Sequence, residues 1–204
     1  VKEPISKAEI ANNALISLID DLLNASRIER GKMEFLFEPI SLPELTKFTV
    51  EQLTPQATIK GLKLRYIEPV GTIPEVLGDK EKIRQVINNF IDNSIKYTPT
   101  GQIEASVTAD NEFVTVAVKD TGKGMEEGIA PSLFEKYSRG KDSVMHATGI
   151  GIGLYVAKIV VENHNGQIGA TSDGVGKGSI FYFKLPIKST LPKTKTMDLA
   201  DSSK

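Results

Sequence analysis

No cysteine occurs among the 204 residues. That excludes disulfide scaffolds, zinc–thiolate sites and cysteine nucleophiles, and it suits a reducing compartment. Neither sign of charge dominates: 25 Lys and Arg stand against 26 Asp and Glu, a net charge of −1. No bulk pull toward nucleic acid or anionic lipid follows, so no nucleic-acid partner is expected. No apolar run is long enough to cross a bilayer, and the start lacks a signal-peptide pattern, so this stretch is expected to make no membrane contact. No internal repeat is visible. What is present is 40% hydrophobic and 25% charged, enough for one sizeable core. The chain starts inside a helical pattern and reads as an excerpt of a longer protein.

From Ile10 to Ile28 apolar residues recur at helical spacing, and Gly31 stops the run. This helix either packs on its own domain or projects from it and pairs with another chain. Met33 to Ile40 reads as a strand. Ser41 caps a helix running to about Ile59, which Pro55 should distort or shorten. Strands follow at Leu62–Ile67 and Val76–Leu77. Asp79 caps a helix burying Ile83, Val86, Ile87, Phe90, Ile91 and Ile95. Ile103–Thr108 and Phe113–Val118 read as a hairpin. Ile129–Tyr137 reads as a short helix, Ser138–Thr148 as a polar loop, Gly151–Asn163 as a helix, and Ile168–Thr171 and Ser179–Leu185 as strands. The Lys/Thr/Ser/Pro-rich end reads as a disordered tail.

Four motifs sit at element boundaries. Asn89, Asn93 and Lys96 share one helix face, with Tyr97 after them. Asn oxygens can ligate the Mg²⁺ of a nucleotide, which takes only one or two protein oxygens, and Lys96 adds a cation. Alone, such a face reads as solvated surface. Asp120, Gly122 and Gly124 follow a strand. A carboxylate there can accept from the exocyclic amine of adenine, and glycines let backbone approach a flat ring. Alone, Asp-x-Gly is a common turn. Gly149, Gly151, Ile152, Gly153 and Leu154 open a helix whose free amides suit phosphate. Neither a Walker loop nor the dinucleotide fingerprint matches this spacing. The loop before it could close as a lid, with Arg139 and Lys141 reaching a terminal phosphate. A last glycine turn precedes Ser179.

In this order the motifs resemble the catalytic and ATP-binding domain of sensor histidine kinases, in the wider class of the Hsp90, gyrase and MutL ATPases. Residues 88–99 resemble the N box, 120–125 the G1 box, 133–139 the F box, 149–154 the G2 box and 176–179 the final glycine box. The resemblance implies a two-layer α/β sandwich: a mixed, mostly antiparallel sheet with helices on one face (the Bergerat fold), preceded by one helix. It implies ATP and Mg²⁺ as cofactors. Asn93 would bind Mg²⁺ with Asn89 close by, and Lys96 and Tyr97 would contact phosphate or ribose. Asp120 would hold the adenine amine, with Gly122 and Gly124 near the ring. Arg139 would meet the terminal phosphate, and Asn89, Lys96 and Arg139 would serve transfer. The amides from Gly149 and Gly151 through Ile152, Gly153 and Leu154 would hold the phosphate chain. Ser179 would reach adenine through water, and Phe134 either positions the lid or fills the core.

The resemblance also implies the second helix of a dimerisation hairpin over 1–32, the ATP-binding domain over 33–188 and a tail over 189–204. His146 and His164 fit no phosphoacceptor motif and are expected to be solvated or capping. The γ-phosphoryl acceptor would then be a histidine on a helical hairpin elsewhere in the parent. That parent would be a homodimer with a cytoplasmic kinase core, with or without a membrane anchor, serving a response regulator. A clamp ATPase of the Hsp90 type, an anti-sigma serine kinase and a non-catalytic nucleotide-gated scaffold are the rival readings. The first lacks its usual water-activating Glu, since Asn89 stands at the comparable position.

Overall fold

The computed structural model describes Leu23, Ser26, Arg27, Arg30 and residues 33–136 and 152–188. Leu23, Ser26 and Arg27 are helical, and the Arg30 N–H closes a turn on the Ser26 carbonyl at 3.2 Å. The remainder of the helix expected over Ile10–Ile28 and the tail expected from residue 189 lie outside the described residues.

Strand β1 (Glu38–Ile40) leads into helix α1 (Leu42–Ile59), where Ser41 accepts the Glu44 N–H as N-cap. Next come β2 (Lys63–Ile67), β3 (Val76–Gly78) and α2 (Lys80–Tyr97), the last capped by Asp79 accepting from the Lys82 N–H. Hairpin strands β4 (Gln102–Ala109) and β5 (Phe113–Asp120) precede a 3₁₀ turn (Ala130–Phe134). Helix α3 (Gly153–Asn163) and strands β6 (Gln167–Thr171) and β7 (Ser179–Pro186) complete the order.

The main sheet runs β2-β4-β5-β7-β6, and β1 pairs with β3 in a separate two-stranded sheet. Only β2 and β4 are parallel within the main sheet. Alternate residues of its strands point under the helices. Ile103, Ala105, Val107, Val114, Val116, Val118, Phe181, Phe183 and Leu185 are all buried, as a period of two requires. From α2, Phe90 packs on Phe181 and Phe183 with ring centroids 5.7 and 6.1 Å apart. Each such fully buried side chain contributes roughly 1.5–3 kcal/mol. The other sheet face carries Gln102, Glu104, Ser106, Thr115 and Lys184 at partial exposure. The architecture is the expected two-layer α/β sandwich.

Three local expectations are corrected. The strand expected over Met33–Ile40 shrinks to its last three residues. Its partner β3 is only as long, and beyond it the Leu36 N–H turns to the Asp79 carboxylate at 2.9 Å. Pro55 does not break α1, which runs unbroken to Ile59. The carbonyl four residues back belongs to exposed Glu51, so water replaces the missing donor. The helix expected at Ile129–Tyr137 is a 3₁₀ turn ending at Phe134, with Pro131 in its first turn. The Ser132 hydroxyl bonds back to the Ile129 carbonyl at 2.8 Å, a local alternative to helix propagation.

Candidate functional site

The cleft is built where the end of α2 meets the loops after β5 and before β7. Register makes the first link: Asp120 at the end of β5 lies opposite Ser179 at the start of β7. The loops then join one another. The Lys123 N–H donates to the Tyr97 carbonyl at 3.1 Å, the Gly176 N–H to the Lys123 carbonyl at 2.6 Å, and the Gly178 N–H to the Gly122 carbonyl at 3.1 Å. Ser172 ties the same loops from below. Its Oγ accepts the Met125 N–H at 3.0 Å and donates to the Gly178 carbonyl at 2.6 Å.

The glycines also admit neighbouring protein at close range. A Cβ on Gly122 would lie 2.6 Å from the Tyr97 carbonyl oxygen and 2.8 Å from both Asp120 Oδ1 and Thr98 Oγ1. Gly124 (φ +67°) would strike the Gly174 carbonyl, and Gly178 (φ +74°) the Asp120 carbonyl. Two of the glycine motifs are thus packed against each other, with left-handed backbone at the points of contact.

Asp120 sits at the centre of this junction, 3% exposed. Its Oδ1 accepts the Gly122 N–H at 2.8 Å, and its Oδ2 accepts from the Ser94 hydroxyl at 3.4 Å. Burial raises its pKa above the ordinary carboxylate value, while hydrogen bonds from the Gly122 and Ser179 backbone and the Ser94 hydroxyl, with the Thr98 hydroxyl close by acting in the same direction, pull it back. Thr98 Oγ1 is buried beside this carboxylate but reaches no partner in good hydrogen-bond geometry. An orphan hydroxyl next to an incompletely used carboxylate is an environment that a polar ligand edge or a water would complete.

On the phosphate-type side, the Asn89 side-chain N–H₂ donates to the Gly153 carbonyl at 2.9 Å, joining α2 to the start of α3. Its amide is thereby oriented, with Oδ1 left as acceptor. Ile152 precedes α3, buried, and its apolar side chain cannot accept from the first-turn amides of Gly153 and Leu154. Asn93 and Lys96 are half-buried on α2, and Tyr97 is exposed, with Lys96 Nζ 5.2 Å from the Tyr97 ring centroid. Phe134 is buried in the core. Tyr137, Arg139, Lys141, His146, Gly149 and Gly151 lie outside the described residues. Among those described, no group of three or more His, Cys, Asp or Glu side chains could hold a metal. A divalent ion in this cleft would rely on neutral oxygens and on the ligand's own phosphates, which fits a nucleotide-borne Mg²⁺ held by Asn.

His164, expected to be solvated or capping, caps α3 but is 1% exposed. Sequence reading passed over four other residues here: Ser94, Thr98, Ser172 and Lys60. The Lys60 ammonium donates to the carbonyls of Ile95 and Lys96 at the end of α2, a favourable place for a cation at a helix C-terminus. None of these four lies within a glycine motif. Ser94 and Thr98 were legible only as neighbours of Asn93 and Tyr97 on the same helix.

The fold and the cleft define a class: a two-layer α/β domain with a cleft framed by a polar helix face, a buried Asp and separated glycine turns. Residues 78–189 match the family described as histidine kinase-, DNA gyrase B- and HSP90-like ATPase, and the chain belongs to that family of ATP-binding domains. The adaptive-response sensory kinase SasA of Synechococcus sp. is 37% identical over 177 residues, covering 84% of this chain and 45% of that protein. The sensor histidine kinase GacS of Pseudomonas protegens is 31% identical over 193 residues, covering 92% of this chain and 20% of its own length. The chain thus spans less than half of either relative. Full-length ShkA, solved in complex with AMPPNP, superposes with a TM-score of 0.75 at 24% identity over 91% of this chain and 38% of that one. The histidine kinase AdeS of Acinetobacter baumannii gives 0.67 at 21% identity over 92% and 84%. No helix among the described residues is long and apolar enough to cross a membrane.

Proposed function

We propose that this chain is the part of a sensor histidine kinase that binds Mg·ATP and presents its γ-phosphoryl group to a histidine on a helical hairpin of the parent protein. The observation that carries this reading is the Asp120 junction: a buried carboxylate with an orphan Thr98 hydroxyl beside it, framed by two interlocked glycine loops. Asp120 accepts the adenine amine, Gly122 and Gly124 shape the pocket wall, and Ser179 reaches the base through water. Asn93, with Asn89 beside it, holds Mg²⁺, which neutralises phosphate charge when bound. Lys96, Tyr97 and Arg139 contact ribose and phosphates. The amides from Gly149 and Gly151 through Ile152, Gly153 and Leu154 orient the phosphate chain. The protein's share of the transfer is positioning and charge neutralisation.

In the whole protein, residues 1–32 complete a dimerisation hairpin, 33–188 form the ATP-binding domain and 189–204 a tail. The parent is a homodimer with its kinase core in the cytoplasm, and it passes the phosphoryl group to a response regulator. An ATPase reading is disfavoured by Asp92, the nearest carboxylate to Asn89 on the same helix. It receives a hydrogen bond from Gln56 of α1 at 3.3 Å, so it is turned toward α1 rather than toward the cleft. The test mixes the chain with labelled ATP, Mg²⁺ and the separately made acceptor hairpin of its parent. Label on a hairpin histidine is the expected result. Steady phosphate release without acceptor overturns the kinase in favour of the ATPase, and no ATP binding overturns both.

A further inference from the structure

At the start of α2, remote along the helix from Asp120, three segments converge on Asp79. Its carboxylate Oδ1 accepts the Lys82 N–H at 3.0 Å as the helix cap. Oδ2 accepts the Leu36 N–H at 2.9 Å from the segment entering the domain. Its own N–H donates to His164 Nε2 at 2.8 Å. A backbone N–H can only donate, so Nε2 is the bare nitrogen. Nδ1 therefore carries the proton and donates to the Val160 carbonyl at 2.7 Å. The imidazole is enclosed by Phe35, edge-on at 5.5 Å, and by Phe37 at 4.8 Å. Gly78 is shaped for it: a Cβ there would come within 3.1 Å of His164 Cδ2.

This junction lies at one end of the α2–α3 pair, and the Asn89–Gly153 bond lies at the other. Asp79 to Asn89 spans roughly 15 Å of helix axis at 1.5 Å per residue, and Gly153 to His164 about the same. The two helices therefore run antiparallel and are tied at both ends. With both ties in place, sliding or tilting α3 against α2 would break one of the two bonds. That matters because α2 carries Asn89, Asn93 and Lys96, while the first-turn amides of α3 must stay in register with them. A shift of about 1 Å in such a constellation is enough to degrade it.

We propose that Asp79 and His164 are positioning residues for the nucleotide site, and that the segment 33–37 is the third member of the same junction. Through it, the chain preceding the domain adjusts nucleotide affinity. This rests on the ATP-site reading above. What docks is specific: the Leu36 side chain is 77% exposed, so its N–H and the flanking Phe35 and Phe37 rings make the contact. Withdrawing the segment removes an acceptor's partner at Asp79 and two walls of the His164 enclosure. The Asp79–His164 bond and the buried Val156, Ala157, Val160 and Val161 then hold that end of α3 without the walls that position the imidazole.

The test uses the whole chain with ATP titrated calorimetrically, and melting of the unliganded protein alongside. Asp79→Asn keeps a good cap and the N–H to His164, but it replaces one carboxylate oxygen with a donor facing another donor. Phe37→Ala thins the enclosure at a half-buried position. Each should raise the ATP Kd about 2- to 30-fold, the range for coupling through a packed network. The double variant should fall well short of the product of the two, because both act through one contact. His164→Gln, which can restore an acceptor, should recover more affinity than His164→Leu. If the single variants melt earlier yet bind ATP as the parent chain does, the junction is merely structural and the proposal fails. A fully multiplicative double variant also overturns it. Should Asp79→Asn not fold, Phe37→Ala and the His164 pair still decide. Wild-type chain that does not bind ATP sinks the function itself, an outcome distinct from these.

Discussion

Exchanging Asp120 for Asn should weaken nucleotide binding without weakening the empty protein. The two side chains have nearly the same shape, and an Asn oxygen can keep the 2.8 Å bond from the Gly122 N–H. The other terminal atom becomes an N–H₂ group at the position of Oδ2. Ser94 tolerates this by accepting instead of donating. An adenine amine cannot, because donor would face donor. The loss of a hydrogen bond to a charged group is roughly 1.5–3 kcal/mol, or about 10- to 150-fold in Kd. Stability of the unliganded chain moves the other way. Burial raises the Asp120 pKa above its unfolded value, so the ionised carboxylate costs stability at neutral pH. That cost disappears as pH falls below the unfolded value, and Asn removes it at every pH. Thermal melting measures both effects. At ligand 100 times the wild-type Kd, ATP stabilises by about 2.7 kcal/mol, a shift of roughly 5–10 °C for a chain of this size. A variant 100-fold weaker retains about 0.4 kcal/mol, or roughly 1–2 °C. Equal ATP-induced shifts in the two proteins would refute the adenine assignment. A lower melting point for the unliganded variant would refute the desolvation argument.

Gly178→Ala and Gly176→Ala form a matched pair. Both positions have left-handed φ, +74° and +78°, but only Gly178 faces the Asp120 carbonyl, whereas nothing lies within 4 Å of a Cβ at Gly176. Gly176→Ala should cost about 1–2 kcal/mol, the left-handed penalty alone. Gly178→Ala should cost about 1–3 kcal/mol more, measurable by urea unfolding, and equal losses would contradict the packing. The second expectation concerns pH. Burial lowers the His164 pKa, opposed by the Val160 carbonyl and the Asp79 carboxylate. The unfolded chain therefore takes up the proton first, and stability should decline as pH drops below about 6.5. His164→Gln should flatten that part of the unfolding profile, and an unchanged slope would exclude His164 as its source.

Much of the candidate site was legible because its parts are local. Asn89, Asn93 and Lys96 follow from helical spacing, Asp79 and Ser41 from capping chemistry, and the alternation of β4, β5 and β7 from a sheet with one buried face. Shortfalls arose where partners decide the outcome. β1 is no longer than β3 allows, and Pro55 is harmless because the carbonyl it frees belongs to an exposed residue. His164 carries no mark in its neighbours that it will be enclosed by Phe35 and Phe37, which lie more than a hundred residues earlier.

By itself, then, the order of residues determined the class of element at most positions and the chemistry available at each boundary: a buried-type Asp after a strand, glycines where backbone must turn left, amides at a helix start. Those are properties of neighbouring residues, and short-range sterics and hydrogen bonding suffice to write them. Only the tertiary structure decided what each group faces. It set Asp120 opposite Ser179, turned Asp92 toward Gln56, gave the glycines to one another and closed the Asp79–His164 junction. Contacts between distant segments depend on sheet register and helix packing, which emerge only once the whole core has chosen its arrangement.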